Sequence, residues 1–202
     1  MGTRRILIVL LVATLAVTLI LLLWAWTGGH PGGSPGGLAA SPSVYPTTSP
    51  LTAEEALGPA KEAALRWRSD ARLVSVSATW NRASRESLLA GPAGWSFVFY
   101  SPSAGEIQYV GVGPKGASLS RSFPAPTPPE TVEEDWRFLA ADALLFFLAS
   151  RGEQYLRDHP AAAVHLRLGV ESGHMVWTIL AVEGEKEPFI LRLNAHTGER
   201  LP

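Results

Sequence analysis

The sequence predicts an α+β protein with an N-terminal transmembrane helix followed by two tandem helix-plus-antiparallel-sheet units that pack together. Three observations lead there. An uncharged apolar run fills residues 6–26, and a Gly/Pro-rich stretch fills 27–50. The remaining residues then carry the same order of helix-like and strand-like periodicity twice.

Composition narrows the function classes. The 202-residue chain is 47% hydrophobic but only 17% charged, below the roughly 25% of ordinary soluble domains. Seventeen Lys+Arg against eighteen Asp+Glu leave a formal charge of −1, so no basic field points to nucleic acid. Cysteine is absent, which excludes a disulfide scaffold, thiolate metal sites, a cysteine nucleophile and a lipidated cysteine. The charge deficit is local. Apart from Arg4 and Arg5, every charge follows Pro50, where 15 basic and 18 acidic residues give a net −3.

Residues 1–5 carry Arg4 and Arg5, and the run from Ile6 to Trp26 has no charge. As a helix it spans about 31 Å, matching a hydrocarbon core of about 30 Å. No basic residue follows until Lys61. The positive-inside bias therefore keeps the N-terminus cytoplasmic and exports everything after Trp26. Trp24 and Trp26 fall at the outer interface. A cleaved signal peptide is the alternative, but its apolar region runs only about 7–15 residues and ends at small residues. This run is longer and ends in aromatic residues, so an uncleaved anchor in the cell membrane is expected, with the bilayer as a partner. Residues 27–50 hold six Gly, five Pro and no charge. They cannot bury a core and read as a disordered tether.

Two units follow, 51–123 and 131–202, separated by a Pro-rich linker at 124–130. The first helix is expected from Thr52 with Glu55 at N3, and the second from Thr131 with Glu134 at N3, both capping-box spacings. A displacement of 79 aligns Ala53, Leu57, Ala60, Ala64 and Trp67 with Val132, Trp136, Leu139, Ala143 and Phe146. Pro59 suggests that the first helix restarts there. The strands align at a displacement of 82: Trp95–Tyr100 with Trp177–Val182, Ile107 with Phe189, Gly116 with Gly198, Leu119 with Leu201. Arg72–Trp80 and Ala163–Val170 alternate as a third strand in each unit, with His165 and Arg167 facing away from Val164, Leu166 and Leu168. Residues 143–149, ALLFFLA, are apolar all round. They read either as packing between the units or, through Leu144, Leu145, Phe147 and Leu148, as a surface for a partner or a homodimer.

The run TAEEA at 52–56, with Ala60 and Ala64, and the ending PFILRLNAHTGERL at 188–201 resemble the PepSY family of small exported domains with a cystatin-like helix on a sheet. Asn194 stands where that family usually carries Asp, and the matching segment of the first unit, VGPKG at 112–116, keeps only the glycine. Asn194, Thr197 and Gly198 form the family-like turn, in which Gly supplies positive φ and Asn bonds its own backbone. The resemblance implies protein or peptide binding, with regulation of an envelope protease as the example, rather than catalysis.

No catalytic motif contradicts that. GVGPKG at 111–116 fits a dinucleotide pattern by letter, but ASLSRSFP follows where a helix should open. His159, His165, His174 and His196 lack metal-ligand spacing, so no metal or cofactor is expected. The sequence leaves three functions in order: a binding module, a structural or dimerising component of a cell-envelope assembly, and an enzyme of unrecognised type.

Overall fold

The computed structural model describes residues 50–202, so the expected anchor and nearly all of the tether lie outside the described residues. Thr52 starts helix α1 (Ala53–Trp67) as its spacing predicts. Its hydroxyl accepts from the Glu55 N–H at 3.2 Å, and the Glu55 carboxylate accepts from the Thr52 N–H at 2.8 Å. Pro59 does not restart the helix, which is continuous through it. Pro59 and Glu55 are both exposed, so the carbonyl that loses its N–H partner faces water. The buried stripe of α1 is all alanine: Ala53, Ala56, Ala60, Ala63 and Ala64.

Strand β1 (Arg72–Trp80) follows, then a short helix α2 (Arg85–Ala90) that periodicity did not reveal. Strands β2 (Trp95–Ser101), β3 (Glu106–Gly113), β4 (Gly116–Leu119) and β5 (Phe123–Pro124) complete the first half. The Pro-rich linker thus begins inside the sheet, with Ile107 paired to Phe123. The second half holds α3 (Ala140–Phe147), a π-type turn at Leu148–Gly152, α4 (Glu153–Asp158), β6 (Ala163–Glu171), β7 (His174–Val182) and β8 (Phe189–Asn194). Among the described residues no helix is long and apolar enough to cross a membrane.

All eight strands form one antiparallel sheet, ordered β4-β3-β2-β1-β6-β7-β8 with β5 beside β3. The two halves meet at β1 and β6. Val76 lies opposite Leu168 and Ala78 opposite Leu166. Following the registers outward makes Val76 equivalent to Leu166 and Ala78 to Leu168, so exchanging the halves maps the central pairing onto itself. The same exchange relates Trp95, paired with Val112, to Trp177, paired with Leu193.

The second helix does not begin at Thr131. Residues 129–139 are irregular, and Val132 instead donates its N–H to the Leu73 carbonyl at 2.8 Å. Val132 and Trp136 are buried one at a time by an extended segment, which the four-residue spacing could not distinguish from a helical face. The N-cap is Leu139, whose N–H donates to Asp142 Oδ2 at 3.2 Å. Thr52 therefore corresponds to Leu139, a displacement of 87 rather than 79. On that alignment Ala53, Ala56, Leu57 and Ala60 match Ala140, Ala143, Leu144 and Phe147.

Two matching hydrogen bonds, one in each half, support this correspondence. Trp95 Nε1 donates to the carbonyl of Leu51 at 2.8 Å, and Trp177 Nε1 donates to that of Phe138 at 2.7 Å. Each acceptor is the residue before a helix N-cap, so each indole ties a helix start to a sheet. Replacing Trp95 or Trp177 with Phe keeps an apolar ring but removes the donor. Each change is expected to cost about 1–3 kcal/mol, a fall of roughly 2–12 °C in Tm for a domain of this size. Thermal unfolding followed by circular dichroism checks this, and a silent Trp177→Phe would contradict the assigned role.

Candidate interaction surface

Strand alternation sends two sets of side chains to opposite faces of the sheet. The helix side takes Trp95, Phe97, Phe99, Val110, Val112, Leu166, Leu168, Trp177, Ile179, Leu191 and Leu193, all buried in one core with both helix stripes. Helix α1 packs on β2, β3 and β4, and α3 packs on β7. The other face has no helix over it among the described residues. Its central row, read across paired positions, is Ser118, Gly111, Ser96, Ser77, Arg167, Thr178 and Arg192. The row beside it places Thr79, His165, Leu180 and Ile190 next to one another.

The electrostatics of that face are uneven. Arg192 pairs with Glu171, and also donates to the Pro202 carbonyl at 2.8 Å. Glu171 in turn accepts from the Thr178 hydroxyl at 3.2 Å. Arg167 is exposed and has no hydrogen-bond or ion-pair partner among the described residues. A Cβ on Gly169 would lie only 3.4 Å from its guanidinium, so the side chain extends over the glycine. His165 Nδ1 is 3.0 Å from the Thr79 hydroxyl, and burial pushes its pKa down. His165 and Arg167 do face away from the core, as their alternation predicts.

The helix-face candidates are corrected. Leu144, Phe147 and Leu148 are buried against the sheet, so three of the four expected surface residues are not available to a partner. Only Leu145 is exposed, together with Phe146. The reason is that α3 lies on a sheet face already built from Trp177, Ile179 and Leu191, which takes its apolar stripe into the shared core.

The predicted turn is present, and its residues are structural. Asn194 Oδ1 accepts from the N–H groups of His196 and Thr197 at 2.9 and 3.1 Å. The Thr197 hydroxyl accepts from the Glu199 N–H at 3.2 Å. Gly198 has φ +71° and donates to the Asn194 carbonyl at 2.8 Å. A Cβ there would meet the Phe138 ring at 2.6 Å. Leu193 then pairs with Arg200, whereas the first half pairs Val112 with Ala117. The second turn is two residues longer, so Gly116 and Gly198 match by letter and not by place.

Two depressions border the sheet. One, of about 230 Å³, is lined by Thr131, Glu133, Val170, Gly173, His174, Met175, Asn194 and His196. The other, of about 370 Å³, lies between α4 and the β7–β8 loop. Beside it, His159 Nδ1 sits 3.0 Å from Glu183, and Lys186 donates to the same carboxylate at 2.6 Å. Those bonds, Lys186 first, lower the Glu183 pKa. The Tyr155 hydroxyl donates to the Glu187 carbonyl at 3.1 Å, and burial raises its pKa. The His159–Glu183 contact ties the end of α4 to the β7–β8 hairpin.

No family model matches the chain, and no curated protein matches it. A solved structure described as a candidate lipoprotein from Clostridium difficile 630 is similar over 71% of this chain and 88% of that one. Its identity is 9% and its TM-score 0.45, and a likeness at that level carries no argument about what this chain does.

Two measurements follow from this geometry. Gly198→Ala adds a clash with Phe138 (about 1–3 kcal/mol) to the positive-φ penalty (about 1–2 kcal/mol). Gly116→Ala, with φ +96° and open space around it, meets only the second, so urea unfolding should show the larger loss at Gly198. Asp70 supplies the other. Its carboxylate accepts from the Ser101 hydroxyl and the Ser103 N–H, both at 2.7 Å, and these hold its pKa at about 2, below the ordinary aspartate value of 3.8. A depressed pKa favours the fold above the unfolded value, and that contribution is lost as pH falls from 3.8 toward 2. Asp70→Asn should flatten the acid limb of stability against pH in that window and leave the neutral region's slope unchanged.

Proposed function

We propose that this chain is a membrane-anchored, extracytoplasmic binding module, a doubled PepSY-like unit that engages a protein or peptide partner. The observation that carries the reading is the helix-free sheet face. A sheet with one face in the core and the other solvated needs nothing further for stability, yet this face sets an unpaired arginine among glycines and serines. The uncharged run at 6–26 and the Gly/Pro-rich stretch after it support anchoring outside the cytoplasm. The helix on an antiparallel sheet, repeated with matched registers and matched tryptophan bonds, supports two copies of one unit. Regulation of an envelope protease extends the family resemblance to this chain. Binding of a partner by the sheet needs no catalytic group.

The absence of cysteine makes the test direct. Ser96→Cys places a single thiol on the open face, and Lys61→Cys places one on the helix side. In intact cells a membrane-impermeant maleimide should label both in the full-length chain. Photo-crosslinking from the thiol should join a protein partner at Ser96→Cys and not at Lys61→Cys. Labelling only after lysis overturns the location, and equal crosslinking at both positions overturns the face.

A further inference from the structure

Exchanging the two halves gives an internal comparison of structurally equivalent positions. On the helix side the equivalents are alike in kind: Trp95 with Trp177, Phe97 with Ile179, Val110 with Leu191, Val112 with Leu193, Val76 with Leu166. On the open face they are not. Ser77 corresponds to Arg167, and Gly111 to Arg192. In the central row one half therefore contributes a low floor of small residues, and the other half contributes two arginines. The Ser77 and Ser118 hydroxyls bond nearby strand carbonyls, which keeps that floor close to the backbone.

Charge on this face runs against the rest of the domain. Arg72, opposite Tyr100 on the same side as Val98, joins Arg167 and Arg192, and Glu171 is the acid set among them. The residues after Pro50 have a net charge of −3, so a cationic face on an acidic domain is a local arrangement. Only Arg192 is neutralised by an ion pair with Glu171. Arg72 and Arg167 have no ion-pair or hydrogen-bond partner through their side chains among the described residues.

We propose that the open sheet face binds an extended acidic segment of a partner polypeptide, with a carboxylate seated on Arg167. The segment lies on the Gly111, Ser96 and Ser77 floor, and its backbone is narrow enough to reach a row flanked by the larger Tyr109 and Val98. Apolar side chains of the segment meet Leu180 and Ile190, the latter 50% exposed. Guanidinium groups suit carboxylates because two parallel N–H donors match two oxygens. A flat bilayer fits less well, because only two guanidinium groups on this face lack a partner and the residues after Pro50 carry a net charge of −3. The proposal rests on the reading of this face as the binding surface and adds the chemistry of what binds.

The test uses the full-length chain in neutral detergent micelles with a fluorescein-labelled (Glu-Thr)5 peptide, a (Lys-Thr)5 peptide, and the water-soluble headgroup glycerophosphoglycerol, fluorescein-labelled. Saturable anisotropy with the acidic peptide is expected, weakening with salt, and none with the basic one. Arg167→Ala should weaken it about fivefold or more, and Ser77→Trp, which fills the floor, should do the same with Arg167 intact. Lys61→Ala, on the helix side, should leave binding unchanged. Unchanged, wild-type affinity in Arg167→Ala and in Ser77→Trp overturns the site. Headgroup binding that Arg167→Ala abolishes, without peptide binding, overturns the partner class. If the acidic peptide fails while Ser96→Cys still crosslinks a protein, this chemistry is wrong and the broader binding function survives.

Discussion

The antiparallel pairing of β1 with β6 is the constraint on which the rest of the structure depends. It joins two halves of about 75 residues, a size at which a single core is marginal, into one sheet with a shared core. Its register is unchanged when the halves are exchanged, since Val76 meets Leu168 as Leu166 meets Ala78. A slip by one residue would turn every apolar side chain on one half to the wrong face. The same pairing brings Ser77 beside Arg167 and so assembles the open face.

The two halves fill equivalent space differently. On α1 the buried stripe is alanine, which lets the helix backbone approach a sheet carrying Phe97 and Phe99. On α3 the stripe includes Leu144 and Phe147, over a sheet carrying Ile179 and Ala181. Ala60 and Phe99 in one half thus correspond to Phe147 and Ala181 in the other, so volume has moved from sheet to helix at near-constant total. Close packing tolerates such exchanges because total volume and pattern are kept. The burial of Ala143, Leu144, Phe147 and Leu148 follows from that demand and removes them from any docking surface, while Leu145 and Phe146 stay exposed.

Strands and turns were legible because their signals are local. Alternation marked Arg72–Trp80 and Ala163–Val170 to within a residue, and Asn194 with Gly198 announced a turn whose bonds are all made within six residues. The second helix was misplaced by eight residues because Val132 and Trp136 are buried by contacts with Leu73 and α1, far away in sequence. Helix α2 is too short to show a period. The open face was half legible: His165 and Arg167 were assigned to the outward side of their strand, but no local pattern says which strand will lie beside it.

The sequence by itself determined the α+β class, six of the eight strands, the Thr52 cap, the Asn194 turn and the cysteine-free composition, since each rests on neighbours a few residues apart. Only the tertiary structure decided where α3 begins, which of its residues are buried, and that one sheet joins both halves. It alone decided that Arg167 stands unpaired beside Ser77 and Ser96. Those positions are separated by 71–90 residues of chain, and their proximity is set by strand register and core packing, which no local spacing encodes.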